Sequence, residues 1–116
     1  MLKLRPETRV YVAECAVDFR KAIDGLSSIV MEQFEQPANS GSVFVFYNQL
    51  RDRVKCLYWD RNGFVLHQKR LERGRFKMKP KDDVQILTQQ QLDWLLAGLD
   101  FELMHEFPEL DYTNYF

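Results

Sequence analysis

A chain of 116 residues with 46% hydrophobic content, nine phenylalanines and a net charge of −1 has the size and apolar content of one soluble globular domain with a single core. No apolar run approaches the roughly 20 residues of a membrane span. The opening "MLKLRPETRV" lacks the long apolar region of a secretory leader, so the sequence reads as a cytoplasmic protein with no membrane partner.

The first element is "RVYVA", Arg9–Ala13, whose alternation and β-branched content predict a short strand. Asp18 is placed to cap a helix of about four turns. Phe19, Ala22, Ile23, Leu26, Ile29, Val30 and Phe34 recur on its apolar stripe at three- and four-residue steps. Gly25 inside that stripe hints at close packing, since glycine weakens a helix interior. Pro37 and "NSG", Asn39–Gly41, end the helix in a loop.

A run of strands follows. "VFVFY", Val43–Tyr47, is apolar on both faces and therefore central. "NQLRD", Asn48–Asp52, is a turn. In "RVKCLYW", Arg53–Trp59, Val54, Cys56 and Tyr58 share one face and Arg53 and Lys55 the other. "DRNG", Asp60–Gly63, contains the Asn-Gly pair typical of tight hairpins, and Phe64–Leu71 returns. "ERG", Glu72–Gly74, turns again. "RFKMK", Arg75–Lys79, puts Phe76 and Met78 on one side and Arg75, Lys77 and Lys79 on the other.

Pro80 ends that strand, and "VQIL", Val84–Leu87, forms one more. Thr88 and Gln91 have the spacing of a capping box. Leu92, Leu95, Leu96 and Leu99 give the second helix its apolar face, with Trp94 at its flank and Gly98 as its stop. The expected fold is α+β: a single domain over residues 1–100, an antiparallel β-meander of about five strands, with one N-terminal and one C-terminal helix packed on it. That sheet is expected to be covered on one face. Residues 101–116 form an acidic, aromatic tail.

No catalytic constellation is visible. The sequence has no phosphate-binding glycine loop, no nucleophile elbow and no zinc-protease pair. Cys15 and Cys56 read as two reduced thiols, not a bridge. His67 reads as structural, and Asp82 and Asp83 as a solvated turn. We therefore expect a non-enzyme with no metal and no cofactor.

Charge is segregated along the chain. Residues 51–81 carry net +8 and residues 82–116 net −8, an asymmetry that marks an interaction surface or a tail folded over a basic region. The basic stretch "KRLERGRFKMKPK", Lys69–Lys81, would form a two-stranded ribbon if Lys69–Leu71 paired with Arg75–Lys79 through the "ERG" turn. A ribbon fits a major groove, and its cations track phosphates. Charged residues also occupy the solvent face of sheets and guard their edges, so residue types alone leave both readings open.

The same residues carry a resemblance. "DFRKAIDGL" at Asp18–Leu26, "FVF" at Phe44–Phe46, "DRVK" at Asp52–Lys55, Trp59-Asp60, Gly63 and "KRLERGRF" at Lys69–Phe76 form a dense pattern. With Leu87-Thr88 and "LLAGLD" at Leu95–Asp100, the pattern resembles the TnpB accessory proteins of the insertion-sequence family 66 group of bacterial transposable elements. It covers about residues 9 to 100. The resemblance implies an accessory protein for transposition, with the transposase of the same element and the element's DNA ends as natural partners. It adds weight to the basic ribbon as a DNA contact, with Lys69, Arg70, Arg73, Arg75, Lys77 and Lys79 as the expected nucleic-acid-binding residues. It also points to Arg20, Lys21 and Asp24 as partner-binding residues. The other reading is an adaptor that binds the transposase without touching DNA.

Overall fold

The computed structural model describes residues 4–104. Five strands form one sheet in the order β4-β3-β2-β1-β5. They are β1 (Val10–Val12), β2 (Val43–Tyr47), β3 (Arg53–Asp60), β4 (Gly63–Arg70) and β5 (Gln85–Leu87). Helix α1 (Ile23–Gln33) lies between β1 and β2, and α2 (Gln89–Leu96) follows β5. The α+β class and the strand number agree with expectation, but the sheet is mixed. β1 pairs parallel to β2, with Val10 opposite Val43, and antiparallel to β5, with Val10 opposite Leu87. Parallel neighbours need a long crossover, and the segment carrying α1 supplies it.

The sheet is also covered on both faces, not one. Phe44, Phe46 and Leu57 pack against Leu26, Ile29, Val30 and Phe34 of the α1 layer. Val43, Val45, Tyr47, Val54 and Cys56 pack on the other side against Leu92, Leu95 and Leu96 of α2. A strand's side chains alternate between faces, so the doubly apolar "VFVFY" has to sit between two layers. It is the middle strand and every residue in it is buried.

Helix α1 starts at Ile23, and its N-cap, Ala22, makes no side-chain cap bond. Asp18 closes a turn ahead of it: Lys21 N donates to Asp18 O at 3.1 Å. Its carboxylate takes the Arg20 backbone N–H at 2.9 Å. Phe19 is thus outside the helix, yet it still packs on the α1 core. A Cβ at Gly25 would sit 3.0 Å from Lys21 Cβ, the close packing that glycine there suggested. After the C-cap Phe34, Glu35 takes a left-handed φ of 54°.

The capping box forms as read. Gln91 N donates to Thr88 Oγ1 at 3.0 Å, and Thr88 N to Gln91 Oε1 at 2.9 Å. At the far end Gly98 N donates to Leu95 O and Leu99 N to Trp94 O, a Schellman closure around Gly98 at φ +81°. That left-handed step swings Leu99 off the helix, so it is 44% exposed instead of joining the apolar face. Phe101, at the start of the expected tail, is buried in the α2-side core.

Candidate nucleic-acid interface

The basic stretch does not form a ribbon. β4 ends at Arg70 and the next strand begins at Gln85. Leu71 N donates to Asp52 O at 2.8 Å, which carries the chain past the β2–β3 turn. Gly74, at φ +76°, then turns it across the end of the sheet. Phe76 N donates to Arg51 O at 2.7 Å, not to β4. The alternation read from the sequence holds: Phe76 and Met78 are buried, while Arg75, Lys77 and Lys79 are exposed. The partner of the segment was misassigned because Phe76 and Met78 fill the α2-side core. Burying two large apolar side chains outweighs a short edge pairing.

Residues 75–79 therefore form a strap, plugged by two side chains and held at one hub. The hub is Arg51, in the left-handed region at φ 59°. Its carbonyl receives Phe76 N, and its guanidinium donates to Met78 O at 3.0 Å. Beyond the strap, Lys81 N bonds Glu14 O at 2.8 Å and its ammonium pairs with Glu102 at 2.8 Å. Arg51 was not singled out in the sequence, since a lone arginine in a turn carries no pattern.

The six predicted contact residues separate into two sets. Lys69 is committed internally: its ammonium donates to Leu96 O at 2.6 Å, at the negative end of α2, where a cation is favoured. Arg70 pairs with Glu72 at 3.0 Å. Arg73, Arg75, Lys77 and Lys79 are exposed and have no ion-pair partner among the described residues. Three of these four, with Arg51, line a cavity of about 190 Å³ that also meets Asp100 and Glu102. That volume is below the roughly 300 Å³ at which small-molecule sites begin.

The residues predicted to bind a protein partner lie around the start of α1. Arg20 is exposed and forks onto Asp18, with Nη2 to Oδ2 at 2.8 Å. That bond holds the Asp18 carboxyl down at about 2. Asp24 is exposed in the first turn of α1. Lys21 packs its side chain across Gly25. Beneath this loop lies a residue the sequence reading did not single out, Lys55, which is only 7% exposed. Its Nζ donates to Phe19 O at 3.0 Å and to Lys21 O at 2.9 Å, and it sits 4.7 Å from the centre of the Phe19 ring. Burial lowers its pKa. Lys55 thus ties the "DFRKAIDGL" loop to the "DRVK" strand.

Other chemistry-bearing groups have structural partners. His67 Nε2 lies 3.2 Å from Tyr58 Oη, with the rings stacked. Asp83 accepts from Val84 N at 2.7 Å in its turn. Cys56 is buried and its thiol pushed up to about 12 by burial, while Cys15 is exposed. No group of three potential metal ligands occurs among the described residues. No helix among them is long and apolar enough to cross a membrane.

A small mixed sheet thus lies between two helices, with a cationic strap at one end. The family profile of the IS66 Orf2-like proteins matches residues 8–106, and the chain belongs to that family. Membership supports an accessory role in transposition. Two uncharacterized proteins of Sinorhizobium fredii are similar along most of their length. The one called y4jC is 36% identical over 101 residues, covering 86% of each chain. The one called y4hO is 31% identical over 102 residues, covering 87% of this chain and 89% of its own. No solved structure gives a significant match.

Proposed function

We propose that this protein is a non-catalytic accessory factor that holds the DNA of its element by the phosphate backbone, using Arg73, Arg75, Lys77 and Lys79. The observation that carries this reading is the strap itself. Four exposed cations with no ion-pair partner among the described residues project from a segment whose alternate residues, Phe76 and Met78, are anchored in the core. The anchors fix the spacing of the charges in advance, so little side-chain ordering remains to oppose binding. Lys69 and Arg70, spent on Leu96 and Glu72, take a supporting part. The transposase of the same element is the protein partner in this reading, meeting the exposed Arg20 and Asp24 beside α1.

The test is titration of element-end duplex at two salt concentrations. Four phosphate contacts predict a log–log slope of about −3.6, or roughly a 150-fold loss of affinity between 50 and 200 mM salt. Alanine at all four strap positions abolishes the salt-dependent binding. Absence of binding at low salt removes the DNA reading, and a quadruple variant that binds like the parent removes the strap as the grip. Co-purification with transposase in the absence of DNA would then favour the adaptor.

A further inference from the structure

A second cationic site lies at the other end of the sheet. β4 runs from the hairpin at Gly63 to Arg70, so the strap and the hairpin tip are separated by about 24 Å at 3.4 Å per residue. At the hairpin end, a groove of about 610 Å³ is lined by residues of the N-terminal segment, the loop before β2 and the β3–β4 hairpin. Arg5 and Arg9 stand on one wall, Arg61 on the other, and Trp59 also lines it. Glu7 and Asp60 border the groove as well. Neither lies within ion-pair distance of an arginine, and none of the three guanidinia has an ion-pair partner among the described residues.

Both walls are held rigidly. Gln89 Nε2 donates to Arg5 O at 2.6 Å and to Thr8 O at 3.3 Å, tying the N-terminal segment to the first turn of α2. Arg9 O accepts from Val43 N at 2.9 Å. Arg61 sits at the tip of a hairpin closed by the Asp60–Gly63 pair, with its backbone at φ 53°. Trp59 is braced edge-on by Phe64, with ring centres 5.0 Å apart. Guanidinia fork onto phosphate oxygens, and an indole offers a stacking face to any base. Arginines on two walls with an aromatic beside them suit a chain that presents repeated phosphates and an unpaired base.

The geometry points to this groove as a binding site for single-stranded nucleic acid. It is separate from the strap and does not depend on the strap touching duplex. The experiment uses the full chain carrying Trp94→Phe, which leaves Trp59 as the one tryptophan of the two in the sequence. Its fluorescence is followed on titration with a ten-residue oligothymidylate. The expected result is a saturable quench. Three phosphate contacts on a single strand give a salt slope of about −2. Arg9→Ala and Arg61→Ala each weaken binding about tenfold, as loss of a charge-assisted bond does. Arg61 is exposed at the hairpin tip, so its variant keeps the fold and remains a fair test. Alanine at the four strap positions leaves the quench unchanged, which separates this site from the strap. The inference is overturned by no quench at low salt, or by a quench insensitive to both arginine variants. It is equally overturned if duplex, thymidine monophosphate or inorganic phosphate matches the oligonucleotide.

Discussion

Replacing Lys55 with methionine removes an ammonium and keeps the length of the side chain. Two charge-assisted bonds, to Phe19 O at 3.0 Å and Lys21 O at 2.9 Å, disappear, together with the contact to the Phe19 ring. Bonds to a charged group contribute about 1.5–3 kcal/mol each, and the ring contact about 0.5–1 kcal/mol. The cost of holding a cation only 7% exposed is relieved at the same time, so the net loss is about 2 kcal/mol. For a domain of this size that lowers Tm by about 8 °C. Calorimetry measures this. Limited trypsin digestion localises it, because the peptide bond after Lys21 has the carbonyl that Lys55 holds. Cleavage there should accelerate in Lys55→Met and not elsewhere. The sign with pH is also fixed. Burial lowers the Lys55 pKa below 10.5, so the folded state binds fewer protons than the unfolded one as pH rises toward that value. Parent stability therefore grows relative to the variant across that window. A variant with unchanged Tm and unchanged cleavage after Lys21 would refute the clamp.

Phe76→Ala, at a site 1% exposed, should cost about 3–4 kcal/mol by chemical denaturation, whereas Lys77→Ala beside it should leave the midpoint unchanged. Gly98→Ala and Glu35→Gly should move stability in opposite directions, because both positions hold left-handed backbone. The first loses about 1 kcal/mol and the second gains about 0.5 kcal/mol, both readable as shifts in denaturation midpoint. A thiol reagent should titrate one cysteine in the native protein and two in denaturant, since Cys15 is exposed and Cys56 buried. Cys15→Ser should leave no native reactivity.

Several local signals in the sequence translated into structure, although Asp18 closes a turn ahead of α1 and does not cap it. The Thr88–Gln91 box, the stop at Gly98 and the alternation of Phe76 and Met78 each depend on residues within a few positions of one another. The antiparallel run β2–β3–β4 formed as expected, but the pairing of β1 did not translate. β1 has three residues, too few for an alternation that could choose between neighbours, and its parallel partner arrives only after α1. The hairpin moved as well: Asp60 pairs with Gly63, so Arg61 and Asn62 make the loop and the glycine of the Asn-Gly pair becomes a strand residue. The candidate surface was legible as charge and illegible as geometry. Nothing in "KRLERGRF" distinguishes Lys69, which caps α2, from Arg73, which faces solvent, until the helix end that Lys69 reaches is in place. Lys55 was equally hidden, because an alternating basic residue in a strand carries no mark of a loop lying over it. The tail beyond Met104, including His105, lies outside the described residues.

The position of β1 has a consequence for the order of events as the chain leaves the ribosome. β2, β3 and β4 meet through short connections and can assemble as soon as they emerge. β1, although made first, pairs with Val43 on one side and with Leu87 on the other. Its outer edge waits for nearly the whole domain to be synthesised. Until β5 and α2 arrive, that edge and the core face beneath α2 stand open. Completion is a late, cooperative step in which the last strand closes over the first.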